Sequence, residues 1–413
     1  WLKENDLSRS TIGWAGLIFA VYSINFLWAP LIDRLRIPFL TEKIGHRKSW
    51  ILLMQFSIFI SLVAWSFLDP KESLFGIIAF GLIIAISSAT QDITIDALRI
   101  EQIKKEEGRA MAAGAAIAVV GWWTGYKIGG VISLFTAEFF QRLGYQNYWQ
   151  LSFLVLILII LITSICLLLI PEENSSARAL NQSAEDKKIL NIIGDKTKLQ
   201  QIIAWLTGTV INPLASFFKN NTLPIAIGLI SFIFLFKIGE AFLGRMSVIF
   251  YKEVGFSKTD IAIYSKGLGW LTTISFTLIG GVFAIRFGLL KALFLSGITM
   301  ALTNLMFTAL AWVGASKLLF ASAVLLDDLA ASFATVSFVA FISVLVDRNY
   351  TATQYALLAS IGTAGRTLFA ASSGAMVDYL NGNWGLFFII TALMVIPSLV
   401  ILFSIRNKLH LNE

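Results

Sequence analysis

The segment Pro30-Leu31-Ile32-Asp33-Arg34, continued by Gly45-His46-Arg47-Lys48, forms a charged loop between two apolar runs at about 12–31 and 50–68. An α-helix needs about 20 apolar residues to cross the hydrocarbon core of a bilayer, and both runs reach that length. A short basic loop between two such runs is typical of a chain that leaves the membrane and enters it again at once. This loop therefore predicts a chain that crosses a membrane more than once.

Outward from this loop, nine further apolar runs follow, at about 74–97, 109–133, 149–170, 224–250, 261–283, 289–312, 317–345, 352–377 and 384–405. Hydrophobic residues make up 57% of the 413 residues and charged residues only 14%, which is too little charge for a soluble domain of this length. We therefore predict an all-α polytopic membrane protein with eleven visible spans.

One long polar stretch at 171–222 divides the chain into two halves. We interpret 1–170 as an N-terminal transmembrane bundle, 171–222 as a cytoplasmic linker and 223–413 as a C-terminal transmembrane bundle. Within the linker, Leu199–Phe218 is moderately apolar and interrupted by Pro213, which favours an interfacial helix. Since transporters commonly pair two bundles of six helices, we expect that a first helix is missing before Trp1. A true eleven-span protein is the alternative.

Basic residues concentrate in alternate loops, and the rule that such loops face the cytoplasm sets the orientation. It predicts a cytoplasmic C-terminus and a periplasmic start. The formal net charge of +7 follows this loop pattern, so we expect no nucleic-acid partner. With two histidines and one cysteine in the chain, we expect no metal site, no cofactor and no enzymatic activity.

Charged groups inside apolar runs are candidates for function, because the bilayer makes each of them costly unless it is paired or hydrated. They are Asp92, Asp96, Lys127, Lys237, Glu240, Arg245, Lys266, Asp327, Asp328 and Arg366. Five are cations and five are anions, which favours pairing around a central cavity. Arg245 lies nearer the outer end of its run, where its side chain can reach the interface.

Lys237 and Glu240 lie midway along their run at i and i+3, so they share one helix face and can pair. Exchange of that partner for a proton is a plausible coupling step, and a static structural pair is the alternative. Arg366 is also central in its run. Asp327 and Asp328 are adjacent and point in different directions, so at most one should face a cavity.

Asp92, Asp96 and Arg99 recur at i, i+4 and i+7, and Gln91 beside them adds an amide that can read a sugar hydroxyl or a peptide group. A gate, a salt bridge at the helix end or direct substrate contact each explains this stripe.

A second stripe, of small residues, is formed by Gly121, Gly125 and Gly129, which we expect to pack closely against another helix. Beside it stand Trp122, Trp123, Tyr126 and Lys127. The aromatic rings either stack on sugar rings or belong to an interfacial belt.

The opening loop resembles the loop pattern of the major facilitator superfamily, Asp-Arg followed by Gly-Arg-Arg/Lys, with an insertion and with His46 in place of an arginine. The resemblance implies a cytoplasmic gate, for which the candidates are Asp33, Arg34, Arg47 and Arg99. Asp33 would accept from basic groups or from a helix N-terminus and so favour an outward-open state. The alternative is that these charges only set the topology.

The segments Ser88–Ala97, Lys237–Phe242, Lys266–Gly269 and Ala352–Leu358 resemble the AmpG branch of the peptide/acetyl-CoA/drug transporter family. The same resemblance runs through Gly125-Tyr126-Lys127 and Gly365-Arg366. It implies two six-helix bundles of the major facilitator fold in a bacterial inner membrane. It also implies proton-driven import of anhydromuropeptides for cell-wall recycling and β-lactamase induction, with the proton as coupling ion.

Under this resemblance, the candidates for substrate binding and coupling are Gln91, Asp92, Asp96, Tyr126, Lys127, Lys237, Glu240, Lys266, Asp327 and Arg366. The expected partners are a small-molecule muropeptide and the lipid bilayer, and the protein is expected to be a monomer. Transport of acetyl-CoA or another organic anion is the alternative within the family. A membrane sensor that has lost transport is the alternative from another class.

Overall fold

The computed structural model of the chain describes residues 1–2, 18, 20–104, 107–172, 176–193, 197–261, 264 and 269–409. In this described part, every regular element is a helix. We number the longer helices α1 His46–Trp65, α2 Leu74–Glu101, α3 Gly108–Arg142, α4 Tyr148–Leu169, α5 Ser176–Ile193, α6 Lys198–Leu206, α7 Asn212–Asn220, α8 Leu223–Leu235, α9 Ile238–Val254, α10 Gly269–Phe287, α11 Leu289–Val313, α12 Lys317–Leu345, α13 Thr351–Ala370, α14 Ser373–Tyr379, α15 Trp384–Leu393 and α16 Ile396–Ile405.

Short helices at Val21–Ile24, Ala29–Arg34, Leu40–Ile44 and Lys258–Ile261 complete the principal elements. Each predicted run from 50–68 onward overlaps at least one of the numbered helices. The first predicted run, at 12–31, falls partly outside the described residues.

By length and composition alone, nine helical segments in the described part can cross a membrane. They are His46–Trp65, Leu74–Glu101, Gly108–Arg142, Tyr148–Leu169, Gln200–Asn220, Leu223–Val254, Leu289–Val313, Lys317–Leu345 and Trp384–Lys408. Thr272–Phe287 is a shorter apolar helix. The all-α, multi-span prediction is thereby confirmed.

The segment at 200–220, predicted to lie at the interface, is also apolar and long enough to span. Its predicted interruption at Pro213 takes the form of a π-helical turn, Thr207–Ile211, after which α7 continues. Proline lacks an N–H and crowds the carbonyl of residue i−4, and a widened turn relieves that crowding. The interfacial placement stays a prediction.

The chain forms two compact units. The first contains Trp1–Gln102, Gly125–Ser216 and Asp347–Ala356, and the second contains Ile103–Thr124, Phe217–Val346 and Leu357–Glu413. The first turns of α13 thus belong to the first unit, and the remainder of that helix belongs to the second.

In the first unit, α1 packs along α2 and α4. Ile51 of α1, Leu98 of α2 and Leu167 of α4 form one buried cluster, and Ile58, Leu62 and Ile157 form another. Hydroxyl and amide groups add hydrogen bonds between helices, as between Ser164 and Gln55 at 2.7 Å. Such bonds are common in membranes, where lipid offers polar side chains no partner.

In the second unit, α12 packs against α10 and α11, while α15 packs against α11 and α16 against α8. Its core is rich in aromatic rings, and the Phe250 ring lies 4.7 Å from that of Phe388 and 5.3 Å from that of Trp384. This aromatic core includes residues of α9, the helix that also carries Glu240 of the candidate site.

Candidate functional site

The apolar run at 224–250 is two helices rather than one, and the break falls on a charged residue. The helix α8 ends at Leu235 and α9 begins at Ile238, while Lys237 between them has the non-helical torsions φ −108° and ψ 15°. The break places Glu240 in the first turn of α9, where the helix dipole favours a carboxylate. Discontinuous helices are typical of the substrate and ion sites of transporters.

Two glycines bring the surrounding helices close to this break. A Cβ at Gly239 would collide with the carbonyl oxygen of Thr391, and one at Gly365 would collide with that of Phe234. Only glycine permits such a close approach of two backbones in a helix pair. The glycines therefore hold α15 against α9 and α13 against α8, beside Lys237 and Arg366.

Lys237 is buried, with 5% of its surface exposed, and forms the ion pair that its spacing predicts. Its Nζ donates to Oε1 of Glu240 at 3.3 Å and lies 3.0 Å from Oε2. It also donates to Oγ1 of Thr335 at 2.7 Å, and that hydroxyl in turn donates to the carbonyl oxygen of Ala331. One carboxylate and one hydroxyl thus hold the buried ammonium.

A cavity of about 450 Å³ opens beside this pair within the second unit. One face each of α9, α12 and α13 forms its wall. Its charged lining residues are Glu240, Arg245, Asp327 and Arg366. The cavity therefore collects three of the predicted candidates, and the fourth charge, Arg245, comes from a residue that the sequence suggested would reach the interface.

Asp327 and Asp328 have different surroundings, because adjacent residues in a helix point about 100° apart. Asp327 lines the cavity and accepts from Oγ1 of Thr303 at 3.4 Å. Asp328 accepts from Oγ1 of Thr272 at 2.9 Å. One carboxylate faces the cavity and its neighbour is used in helix packing.

The residues of the predicted stripe at 92–99 do not form one connected group. Arg99 pairs with Asp96 within α2, with Nη2 to Oδ1 at 2.9 Å and Nε to Oδ1 at 3.2 Å. Asp92, one turn away, is exposed on the surface of the helix and takes no part in that pair. The Oε1 atom of Gln91 is buried and accepts no hydrogen bond from the described residues.

Two of the four gate candidates, Asp33 and Arg47, meet in the first unit, where the Asp33 carboxylate is buried. Asp33 accepts from the backbone N–H groups of Ala352 at 3.2 Å and Thr353 at 2.8 Å, and from the Thr353 hydroxyl at 2.5 Å. Its other partner is Nη2 of Arg47 at 2.6 Å. Asp33 thus caps the N-terminus of α13, as its predicted role requires.

Arg47 is fully buried and joins three elements. Its guanidinium donates to Asp33, to Oε1 of Glu101 at 2.7 Å and to the carbonyl oxygen of Ile32 at 3.2 Å. His46, which replaces an arginine of the superfamily pattern, has its Nε2 2.7 Å from the same carbonyl oxygen. Arg34 ends the short helix Ala29–Arg34. The expected preference for an outward-open state stays a prediction.

Glu172, at the start of the linker, binds the N-terminus of α1 in the first unit. Its carboxylate accepts from the backbone N–H groups of Arg47 at 2.7 Å and Lys48 at 3.0 Å, at the N-terminus of α1. The carboxylate occupies the space that a Cβ at Gly45 would fill, and Gly45 has the positive φ of 105° that glycine tolerates best. No signal in the sequence pointed to this contact.

The remaining candidates lie elsewhere. Tyr126 is 67% exposed on α3, and neither it nor Lys127 lines the cavity of the second unit. Lys266 lies outside the described residues.

The glycine stripe of α3 corrects an expectation. A Cβ built at Gly121, Gly125 or Gly129 would meet no described atom within 4 Å. Within the described residues, the prediction that these glycines pack against a helix is wrong. Spacing alone cannot tell a packed face from an open one.

The broken helix, the charged cavity and the capped loop together fit a carrier, and comparison with known proteins decides the family. The family model of the Major Facilitator Superfamily matches residues 1–370. The chain belongs to this superfamily. It is a multi-pass membrane transporter of the AmpG-like type, and not an enzyme.

Among curated proteins, the chain is 30% identical over 410 residues to a Rickettsia conorii protein named as transporter AmpG 4. That match covers 99% of this chain and 91% of the relative. It is also 30% identical over 412 residues to the anhydromuropeptide permease of Escherichia coli K12, covering 99% of this chain and 75% of that protein.

Solved structures agree on the fold. The proton:xylose symporter XylE, bound to 6-bromo-6-deoxy-D-glucose, matches with a TM-score of 0.61 at 15% identity, covering 97% of this chain and 88% of that one. An outward-facing bacterial homologue of ferroportin matches with a TM-score of 0.62 at 14% identity, covering 96% and 91%. At such identities the likeness shows the major facilitator fold alone.

Proposed function

We propose that this AmpG-like transporter imports anhydromuropeptides from the periplasm across the inner membrane, driven by protons. These substrates are disaccharides of N-acetylglucosamine and anhydro-N-acetylmuramic acid that carry a peptide stem. The observation that carries the proposal is the 30% identity to the Escherichia coli anhydromuropeptide permease across 99% of this chain. Import of this kind serves cell-wall recycling and β-lactamase induction.

The charges at the cavity support an anionic substrate. Two cations, Arg245 and Arg366, line the cavity together with the carboxylates of Glu240 and Asp327, and Glu240 is already paired with Lys237. The two arginines suit the carboxylates of a peptide stem, and the volume of about 450 Å³ lies in the range of small-molecule sites.

The same cavity argues against a coenzyme A ester. A polyphosphate needs several cations that converge on its oxygens, and any carboxylate among them repels it. Here one cation is already bound to a carboxylate, and a second carboxylate lines the wall. The muropeptide is therefore the better supported substrate within the family.

In this proposal the two carboxylates beside the cavity, Glu240 and Asp327, carry the coupled proton. Protonation of Glu240 would release the Lys237 ammonium that lies 3.0 Å away. In the described residues Asp327 has no ion pair within 4.0 Å, so a proton can neutralise it without breaking a salt bridge. Both groups can thus change charge as the carrier changes state.

The experiment is uptake of labelled anhydromuropeptide into proteoliposomes that hold the purified protein. We expect accumulation under an inward proton gradient, its loss with a protonophore, and little competition from acetyl-CoA. Absence of proton-dependent uptake would overturn the proposal. If the ligand bound with no uptake, the protein would be a sensor, and competition by acetyl-CoA would favour the organic-anion alternative.

A protease-protection assay on cell membranes tests the expected cytoplasmic C-terminus. We expect a C-terminal tag to be cleaved by protease in inside-out membrane vesicles and protected in intact spheroplasts. A monomer is expected in detergent by light scattering.

A further inference from the structure

The two cations that line the cavity have no counter-ion among the residues that the structure describes. Lys237 is paired with Glu240, but Arg245 and Arg366 make neither an ion pair nor a hydrogen bond with any described residue. The arginines that hold the first unit together behave differently. Arg47 and Arg99 each bind a carboxylate oxygen within 3 Å.

An unpaired arginine in a membrane-spanning helix is costly and cannot remove the cost by losing its proton. The guanidinium stays charged at any pH that the protein meets, whereas a lysine can become neutral. Such a group must be hydrated or must bind an anion. Arg245 and Arg366 are both exposed to the cavity and not to the packed core, so the cavity is where that anion would bind.

No anion of the cavity wall serves as the partner. Glu240 is bound to Lys237, and the side-chain partner of Asp327 among the described residues is the Thr303 hydroxyl. Among the described residues, neither carboxylate of the wall is paired with Arg245 or Arg366. Such an arrangement leaves the guanidiniums available for a ligand.

The two guanidiniums are placed on different helices, α9 and α13. Arg366 follows Gly365, whose backbone packs on the carbonyl of Phe234, so the backbone of Arg366 is fixed. Arg245 follows Gly244, where an added Cβ would meet no described atom within 4 Å, so open space adjoins it. Packing therefore holds the backbone that carries Arg366, whereas open space adjoins the backbone that carries Arg245.

We propose that Arg245 and Arg366 form a receptor for two carboxylates of the transported molecule, one guanidinium for each, while Lys237 and Glu240 do not bind the substrate. This assignment rests on the proposed function and names the chemical group that the site selects. A planar guanidinium forks two parallel hydrogen bonds to a carboxylate, which a lysine cannot reproduce. The site would therefore prefer stem peptides with two free carboxylates to a disaccharide without a stem.

The test measures equilibrium binding to the purified full chain in detergent. The ligands are an anhydromuropeptide with two stem carboxylates, the same compound with one carboxylate amidated, and the peptide-free disaccharide. We expect Arg245→Gln and Arg366→Gln each to weaken binding of the first ligand by about 10- to 100-fold, the range for a lost charged hydrogen bond. Arg245→Lys and Arg366→Lys should recover only part of this loss. Arg142→Gln, at an exposed pair with Glu138, is the matched control and should leave binding unchanged.

A cycle between ligand and protein separates a receptor from a structural role. Amidation of one carboxylate should weaken binding to the wild type, yet should weaken it less in the variant that lacks that carboxylate's guanidinium. If the wild type bound the amidated and free ligands equally, or if each variant lost affinity for all three ligands equally, the receptor assignment would be wrong.

A further measurement distinguishes failure of the proposed transport function from failure of the carboxylate receptor. If the wild type bound no anhydromuropeptide, thermal protection by free dipeptides with two carboxylates would be measured instead. Protection that Arg366→Gln abolishes would support the receptor without the muropeptide, and absence of protection would overturn both. Variants are compared only after gel filtration shows a wild-type elution profile. If a Gln variant does not elute like the wild type, the Lys variant at the same position replaces it in the cycle between ligand and protein.

Discussion

Replacement of Asp33 by Asn should destabilise the protein, because this one buried carboxylate accepts from four donors. They are Arg47 Nη2, the backbone N–H groups of Ala352 and Thr353, and the Thr353 hydroxyl. Asparagine offers one acceptor oxygen and turns an NH₂ group toward donors. A hydrogen bond to a charged group contributes about 1.5–3 kcal/mol, and breaking a buried ion pair costs about 3–5 kcal/mol.

The loss should be smaller than the sum of these contributions, because Arg47 keeps Glu101 as a second carboxylate at 2.7 Å. We therefore expect the free energy of unfolding to fall by about 2–4 kcal/mol. The assay is denaturant titration of the purified chain in detergent, followed by tryptophan fluorescence. Asp69→Asn, an exposed carboxylate that accepts from the backbone N–H of Lys71, is the control and should change stability by less than about 0.5 kcal/mol.

A second variant checks the geometry itself. Thr353→Val removes the hydroxyl that donates to Asp33 and leaves the backbone donors in place. The effects of Asp33→Asn and Thr353→Val should be coupled by at least about 0.5 kcal/mol, since residues in one hydrogen-bond network do not act additively. A loss below about 1 kcal/mol for Asp33→Asn, with additive effects, would refute the cap. The loop charges would then serve only to set the topology.

Two further predictions concern the second unit. Glu240→Gln should abolish proton-driven uptake while ligand binding persists, because the neutral amide cannot exchange a proton for Lys237, which lies 3.0 Å from the carboxylate. The double variant Glu240→Gln with Lys237→Gln is the control, because it also removes the buried ammonium that the single variant leaves unpaired. Uptake at the wild-type level in either variant would contradict the coupling role. Gly365→Ala should lower the free energy of unfolding by about 1–3 kcal/mol, because its Cβ would collide with the carbonyl of Phe234. Gly121→Ala, where a Cβ meets no described atom, is its control in the same denaturation assay, and equal losses in the two variants would show that close approach at Gly365 does not matter.

Several parts of the site were open to prediction because they depend on local spacing or on loop charge. The i and i+3 spacing of Lys237 and Glu240 predicted an ion pair, and they pair at 3.0 Å although Lys237 lies at the break just before α9. The acidic residue of the opening loop was expected to accept from a helix N-terminus, and Asp33 caps α13. Apolar runs predicted the spans because the length of a membrane helix is set by the bilayer and read directly from the chain.

Other features depend on neighbours that are distant in the sequence. The same small-xxx-small spacing that suggests packing lies on an open face at Gly121, while Gly239 and Gly365, which have no such pattern, meet the backbones of other helices. Arg245 lies at a position that suits an interfacial side chain, yet it lines the cavity because α12 and α13 stand opposite its face. Which face of a helix is covered depends on its partners, and a single helix does not contain that information.

The sequence by itself determined that this chain is a multi-span membrane protein with charged residues inside its apolar runs, since hydropathy acts residue by residue against the bilayer. Only the tertiary structure decided which of those charges are already paired. The break at Lys237 joins that ammonium to Glu240, and the packing of three helices leaves Arg245 and Arg366 facing one cavity with no partner among the described residues. Pairing is a matter of distances of about 3 Å between helices, and packing sets such distances.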